Sequence, residues 1–600
     1  MNNFRLNTCF QVLLLVFFGF GVYYTALFAD INTVDDVKVI NRYFNQGAPD
    51  LKQIFFPGGK GYYYRPLIKL SFLADKYLWG FQPILMHMEN VLLHVINTIL
   101  VFFLCRKFLF SAGSLTFLPF AAALLFCLHP INTESVNWIS GRSDLLVGPF
   151  LFSSFLFLLR SLEGKGTYNL LMVVPLFFLA TLAKDTAIFW TPAALLLALI
   201  YPAEHPSGLV AALRWHNIRR AWLPLASVAI VPVIYFVWRG YAYAQGDSGF
   251  KTAAKAVFVS SSGGGYGEKL VVALKAYGFY LKKIVWPFPL NFAIVSISDW
   301  YLFLGIAGIV LTFWLLWRLN KGHVLLIMFV CLFSPALLVA TGRMAWTPLA
   351  ERYLYLASAP FSIAVFYVCR EFLNRSNPLG LVVQGILLAW LVVFGVGTSL
   401  RNHVWQSNVR LFQDTVEKSP EFVPARYELA TALRRTGQQG DADKLLGEIA
   451  NAKDERYSIV TTIVLARNTL KKSDYTGARQ VLKARQYSAG DPYYDEYAQL
   501  LTLVNSKLIG GMEDSKLKKE LIEENLKLIL QSIGDTKNSF NAYRYAKILY
   551  SYGDYEEAAK YFAYAAQNAP VDAHYRLAAG RLANRSLDEH SSRMTNGNDR

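Results

Sequence analysis

The sequence predicts an all-α protein in two parts: a polytopic bundle of membrane helices, then a solenoid of short helical hairpins. Three observations predict this. The chain is 54% apolar and 15% aromatic but only 17% charged, far from the average of soluble domains. Mostly apolar stretches long enough to cross a hydrocarbon core of roughly 30 Å recur along the first two thirds. From residue 401 the texture changes to charged, alanine-rich helical sequence. The expected domains are therefore a membrane domain over 1–400, a repeat domain over 401–586, and a polar, disordered tail over 587–600.

The spans are expected near 9–28, 83–104, 112–128, 144–159, 169–183, 187–201, 222–238, 300–317, 323–340, 353–369 and 380–399, about eleven crossings. The first follows a single basic residue, Arg5, is longer than a signal-peptide core, and has Leu27 where cleavage wants a small residue. It reads as a retained membrane helix. The stretch 268–290 is apolar but punctuated by Lys269, Lys275, Lys282 and Lys283, which predicts an interfacial amphipathic helix.

Starting the N-terminus in the cytoplasm and alternating puts Arg106 and Lys107, Arg160 and Lys165, Arg214, Arg219 and Arg220, Arg318 and Lys321, and Arg370 and Arg375 in the inner loops. Every short inner loop is then basic, as membrane insertion favours. Counting 268–290 as a crossing would spoil that pattern. The formal charge of +17 thus reflects sidedness, and with no recognition motif beside it, nucleic acid is not an expected partner. The five cysteines lie in or beside apolar segments with no metal-ligand spacing, and read as packing residues.

In the tail, Gly553, Tyr555, Ala558, Phe562, Ala565 and Pro570 fit the second half of a tetratricopeptide repeat. Glycine makes the turn, small alanines let two helices approach, aromatics wedge between them, and proline ends the unit. Weaker copies lie over Ala425–Ile449 and Thr461–Arg485. Stacked repeats form a concave face suited to peptides or partner proteins, or serve as a scaffold without ligand.

The same topology sends a set of polar clusters to the outer face. They are Asp35-Asp36, Tyr64-Arg65-Pro66-Leu67, His87-x-x-Asn90-x-x-x-His94, His129-Pro-x-x-Thr-Glu134, Gly141-Arg142-x-Asp144, Lys184-Asp185 and Glu351-Arg352-Tyr-Leu-Tyr355. Ionisable groups at a membrane boundary are costly and mark a site. Taken in this order and followed by repeats, they resemble the transmembrane and tetratricopeptide-repeat O-mannosyltransferases and their bacterial relatives, over about residues 30–450. The resemblance implies a GT-C glycosyltransferase fold that draws on a lipid-linked sugar at the non-cytoplasmic face.

Such a transferase needs an apolar groove, cations for the phosphate leaving group, and a carboxylate to take the acceptor proton. Asp36, favoured over Asp35 by the resemblance, is expected as that base, with Glu134 a second candidate. A divalent cation, Mg or Mn, on Asp35 or Asp36 stays open, as does a solvated acidic turn capping a helix near Val37. Arg65, Arg142, Lys184 and Arg352 are expected on the donor phosphate. Three have local carboxylates that can neutralise them instead: Asp144 for Arg142, Asp185 for Lys184, Glu351 for Arg352. His87, Asn90 and His94 share a helix face and, with His129, Glu351 and Tyr355, are expected to orient the site by hydrogen bonding rather than to bind zinc.

The glycine-rich run Ser260–Gly267 lacks the Lys-Ser/Thr of a nucleotide loop and reads as a flap or linker. The predicted function is transfer of a sugar from a polyprenyl-phosphate donor to an extracytoplasmic acceptor, a protein or peptide hydroxyl presented by the repeats. The expected location is a bacterial inner membrane with periplasmic repeats, with the endoplasmic reticulum as the alternative. The rival is a non-catalytic scaffold or lipid-carrier transporter, which predicts mid-membrane charges and pseudo-symmetric halves.

Overall fold

The structure, a computed structural model, describes residues 7–37, 39–40, 51–57, 64–109, 117–201, 208–243, 266–342, 345–373, 378–451, 458–488, 491, 493–510, 515–533, 539–570 and 573–597. Tyr62, Tyr63, Arg375 and most of the glycine-rich run lie outside them. The described residues are helical, with one isolated antiparallel bridge between Ile294 and Leu349. They form two compact units, one of residues up to Val37 and from Lys52 to Ser419, the other of residues 39–40 and 51 with the chain from Pro420.

In the first unit, seven helices among the described residues are long and apolar enough to cross a membrane: Thr8–Phe28, Pro83–Leu109, Ile139–Leu162, Trp215–Ala242, Lys321–Gly342, Glu351–Leu373 and Pro378–Trp405. Four shorter apolar helices, Leu118–Leu128, Thr167–Ala183, Asp185–Ile200 and Tyr301–Trp317, join them. Within the described residues each expected span overlaps one of these helices, the one at 112–128 from Leu118 onward, so the chain is a multi-pass membrane protein by length and composition. Leu118–Leu128 is short because His129-Pro130 ends it and the chain turns into two buried single turns, Pro130–Asn132 and Thr133–Asn137.

The charged pairs sort to two ends of this bundle. At one end the Arg106 guanidinium donates to the Thr8 hydroxyl at 3.1 Å, and Lys107 pairs with Glu163 at 2.5 Å. This is the end that the basic-loop pattern assigns to the cytoplasm. At the other end lie Arg142, Lys184 and Arg352. Alternating spans must return their loops to alternate ends, and the two sets of pairs keep that parity.

The expected interfacial helix is Tyr266–Val285, and its second half is not laid on a surface. Ala276 to Tyr280 and Ile284 are buried, and Lys283 is carried inside by the Pro287 carbonyl at 2.8 Å and by Glu351 at 2.6 Å. Satisfied acceptors make that burial tolerable. The unit also runs past the composition change at 401. Arg401 pairs with Asp414 at 2.5 Å, and the Asn402 amide donates to the Val22 carbonyl, which holds helix Asn408–Lys418 to the membrane unit.

The second unit contains helical hairpins. Helices Ser539–Ser551 and Tyr555–Asn568 pack with Ala546, Ala558, Phe562 and Ala565 in the core, and Gly553 turns between them at φ +82°. The weaker copies are the pairs Val423–Arg435 with Gln439–Ala450 and Ser458–Lys471 with Tyr475–Lys483. A further pair, Tyr494–Ile509 with Ser515–Ile533, has no glycine and alanine pattern to announce it. The tail expected to be disordered from Leu587 continues helix Arg576–Gly597. Its polar surface belongs to a solvated face, with Arg585 and Glu589 one turn apart at 4.0 Å.

Candidate active site at one end of the bundle

Asp35 and Asp36 sit where a short turn leads into the helix beginning at Asp36. Their surroundings differ sharply. Asp36 is 1% exposed, and both of its oxygens are engaged. Oδ1 accepts from the Ser140 backbone N–H at 2.8 Å and the Ser140 hydroxyl at 2.5 Å, while Oδ2 accepts from the Asn32 N–H at 3.2 Å. Burial outweighs these bonds and lifts its pKa from 3.8 to about 7. Asp35 is half-exposed. Asp36 thus fastens the loop, and Asp35 is the more open carboxylate of the pair.

Ser140 can reach Asp36 because Gly141 follows it. A Cβ on Gly141 would lie 2.7 Å from the Ser135 carbonyl oxygen, so only glycine permits this turn. Among the described residues no three His, Cys, Asp or Glu side chains gather around a point.

Each candidate cation has a distant partner in place of its sequence neighbour. Arg142, 1% exposed, forks onto Asp75 at 2.6 Å and Glu89 at 2.8 Å, with Nε on the Asn90 side-chain oxygen. Lys184 takes Asp144 at 2.5 Å. Arg352 clasps Glu134 through its guanidinium and, at 3.0 Å, through its backbone N–H. Glu351 in turn holds Lys283 and the Asn291 N–H. Glu134 is thus fully committed, and burial raises its pKa against the pull of Arg352. Burial likewise lowers the pKa of Lys184, which Asp144 opposes and Arg65 reinforces.

Arg65, Lys184 and Arg352 converge: Lys184 and Arg352 lie over the same Tyr353 ring, at 5.9 and 4.9 Å, and Arg65 reaches Asp185, the residue after Lys184. Tyr64 sets the position of Arg65 by donating to the Phe55 carbonyl at 2.8 Å and accepting from the Trp238 indole at 2.7 Å. Arg65 lies 3.8 Å from Asp185, and Arg239 lies 3.6 Å from the other oxygen of that carboxylate. The second Asp144 oxygen is buried without a protein partner. The Arg352 guanidinium also covers the Trp138 ring at 4.9 Å, two residues from Ser140, so the cation cluster and the acidic turn share one end.

Arg239, Asp75, Glu89 and Ser140 carry no motif that marks them in the sequence, and Lys283 is marked there only as a charge on an interfacial helix. Arg239 had a usable signal, a basic residue just past an apolar span that nothing else explained. Arg142, expected on the donor phosphate, is held by Asp75 and Glu89.

The polar helix face is a hydrogen-bond network. His94 Nε2 faces the Cys127 carbonyl at 3.1 Å and so carries the proton, leaving Nδ1 to accept from the Tyr355 hydroxyl at 3.0 Å. Asn97 donates to the same hydroxyl and to the Leu145 carbonyl, and Asn90 to the Val136 and Trp138 carbonyls. His87 departs from this pattern: it is buried, and neither of its ring nitrogens has a hydrogen-bond partner among the described residues. His129 donates from Nε2 to the Ile284 carbonyl and accepts at Nδ1 from Ile131, and burial lowers its pKa to about 4, so it stays neutral. These side chains orient the loops.

Below the cations runs an apolar groove of about 840 Å³ between helices Thr167–Ala183 and Trp215–Ala242, lined by Leu170, Val174, Pro175, Leu223, Ile230 and Val233. The Arg239–Asp185 contact brings the two helix C-termini together, so both helices run the same way toward the cluster. From Val174 to Lys184 is about 15 Å along the axis.

This arrangement defines a class: a multi-pass helical membrane protein with an ion-paired, cation-rich cluster at one end of its bundle, joined to helical repeats. No family model matches the chain. It is similar to protein O-mannosyl-transferase TMTC1 of Homo sapiens, 25% identical over 443 residues, which cover 63% of this chain and 47% of the relative. It is also similar to protein O-mannosyl-transferase TMTC4 of Mus musculus, 24% identical over 64% of this chain and 57% of that protein. A local match to protein O-mannosyl-transferase tmtc2 of Xenopus laevis reaches 42% over 103 residues, 17% of this chain and 12% of that protein. The chain spans about half the length of the curated relatives that it matches over most of its own. The resemblance read from the motifs is thus to curated proteins of the same kind.

Proposed function

We propose that this chain is an integral-membrane glycosyltransferase that moves a sugar from a polyprenyl-phosphate donor to a protein hydroxyl outside the cytoplasm. The observation that carries the reading is the convergence of Arg65, Lys184 and Arg352 at the bundle end that holds the acidic turn. The acceptor oxygen attacks the anomeric carbon, the bond from that carbon to the phosphate oxygen breaks, and polyprenyl phosphate leaves. Asp35 takes the hydroxyl proton. Arg65, Lys184 and Arg352, with Arg239 beside them, hold the phosphate as its charge grows.

Asp36 and Ser140 keep Asp35 in register, and the unpartnered Asp144 oxygen accepts a hydroxyl of the sugar. The groove suits an isoprenoid chain, since its lining is apolar and the two helices that form it end at Lys184 and Arg239. The relatives' name makes mannose the first sugar to try. The repeats present the acceptor, and bacterial and endoplasmic reticulum membranes both fit this sidedness.

The test uses the full chain in lipid nanodiscs with polyprenyl-phosphate mannose and a serine- and threonine-rich peptide. A hexose mass increment on the peptide is expected, and it disappears in Asp35→Asn. A chain that binds the donor but transfers nothing would favour the carrier or scaffold reading.

A further inference from the structure

The opposite end of the bundle carries a second positive cluster that the transfer reaction does not use. Helix ends from Pro83–Leu109, Ile139–Leu162, Asp185–Ile200, Lys321–Gly342 and Glu351–Leu373 meet there. Glu163 is the carboxylate at the centre. It already holds Lys107 at 2.5 Å and Lys165 at 3.3 Å, and accepts from the Tyr201 hydroxyl at 3.1 Å. Lys321 then lies over the Tyr201 ring at 4.2 Å, and the Arg370 guanidinium stacks on Tyr367 at 3.8 Å.

The two cations are neighbours: Tyr367, under Arg370, packs on Gly322, the residue after Lys321, where a Cβ would lie 2.7 Å from the ring. Among the described residues neither cation makes an ion pair within 4.0 Å. Glu163 is thus already paired with Lys107 and Lys165, and Lys321 and Arg370, both half-buried, gain most from an added anion. Trp215 and Trp317, each 75% exposed, stand at the same end of the bundle, the depth at which such rings meet lipid headgroups.

We propose that Lys321 and Arg370 hold the phosphate of one anionic phospholipid of the inner leaflet, with Lys107 and Lys165 extending the site. Basic clefts between helix ends on this side suit such headgroups. The exposed apolar flank of Tyr301–Trp317, which includes Phe313 and Trp314, is available to the acyl chains. The site is independent of the sugar-transfer reading.

The full chain is exchanged into nanodiscs of phosphatidylcholine with and without phosphatidylglycerol, and co-retained lipid is counted by native mass spectrometry. One phosphatidylglycerol is expected to persist at activation energies that strip phosphatidylcholine. In Lys321→Gln with Arg370→Gln, retention should fall on the order of tenfold or more, from about 1 kcal/mol for each cation near the surface. Lys321→Arg should keep it, and an unchanged unfolding temperature shows that the double variant is folded. The control Arg219→Gln with Arg220→Gln removes two exposed charges nearby and should have no such effect. Equal loss in that control would reduce the cluster to general surface attraction and overturn the proposal. Displacement of the lipid by millimolar inorganic phosphate would overturn it too, by showing that the phosphate alone is recognised.

Discussion

Ser140 gives both its backbone N–H and its hydroxyl to one oxygen of Asp36, at 2.8 and 2.5 Å. Two adjacent acids are thereby given different tasks. Replacing Asp35 by Asn should lower turnover by about 10² to 10⁴, the range of a lost general base, without changing the unfolding temperature. Replacing Ser140 by Ala should cost roughly 1–3 kcal/mol of stability, because a buried acceptor loses a donor. Kinetics with calorimetry on both variants checks this, and the reverse pattern would make Asp36 the base.

The raised pKa of Asp36 makes stability depend on pH. Folding lifts it from 3.8 to about 7, so between those values the folded chain holds a proton that the unfolded chain has released. The stability contributed by this group is therefore complete below the lower value and declines as pH rises toward the upper one. Asp36→Asn should flatten that part of the profile of unfolding temperature against pH. A variant with the same slope as the parent protein would refute the assignment.

Of the fold, the apolar spans were legible because hydrophobic length is a local property: the expected crossings at 83–104 and 323–340 lie within Pro83–Leu109 and Lys321–Gly342. The repeat at Gly553 and Pro570 was legible for the same reason. The partners of charges were not. Arg352 and Glu134 are 218 positions apart, and nothing local tells Arg352 to prefer that carboxylate to its neighbour Glu351. Asp35 and Asp36 are likewise alike in sequence and separated only by the tertiary burial of one of them. The hairpin Tyr494–Ile509 with Ser515–Ile533 went unread because leucine and asparagine, not alanine and glycine, pack its seam: Leu521, Asn525 and Leu528 are buried there.

The exchanged ion pairs give a third prediction. Arg352→Ala strands Glu134 in the interior and should cost about 3–5 kcal/mol, most of it recovered when Glu134→Gln is added. A double-mutant cycle should find coupling of about 1 kcal/mol or more between Arg352 and Glu134 and little between Arg352 and Glu351. Strong coupling to Glu351 would restore the local pair.

Gly553 supplies a fourth. Its φ of +82° is strained for any residue with a Cβ, so Gly553→Val should destabilise the repeat unit by roughly 1–2 kcal/mol. Limited proteolysis of the full chain should then cut first near that turn, with the membrane unit left intact.

The account depends most on which side of the membrane each end of the bundle faces. Single cysteines at Asp299, whose side chain is 90% exposed beside the cation-rich end, and at Lys165, 62% exposed beside Glu163, report this directly in a background without the native cysteines. A membrane-impermeant maleimide applied to intact cells or sealed vesicles of known orientation should label Asp299→Cys from the extracytoplasmic side, and Lys165→Cys only after permeabilisation. Labelling of Lys165→Cys from outside, with Asp299→Cys protected, would put the cation cluster in the cytoplasm and contradict the account.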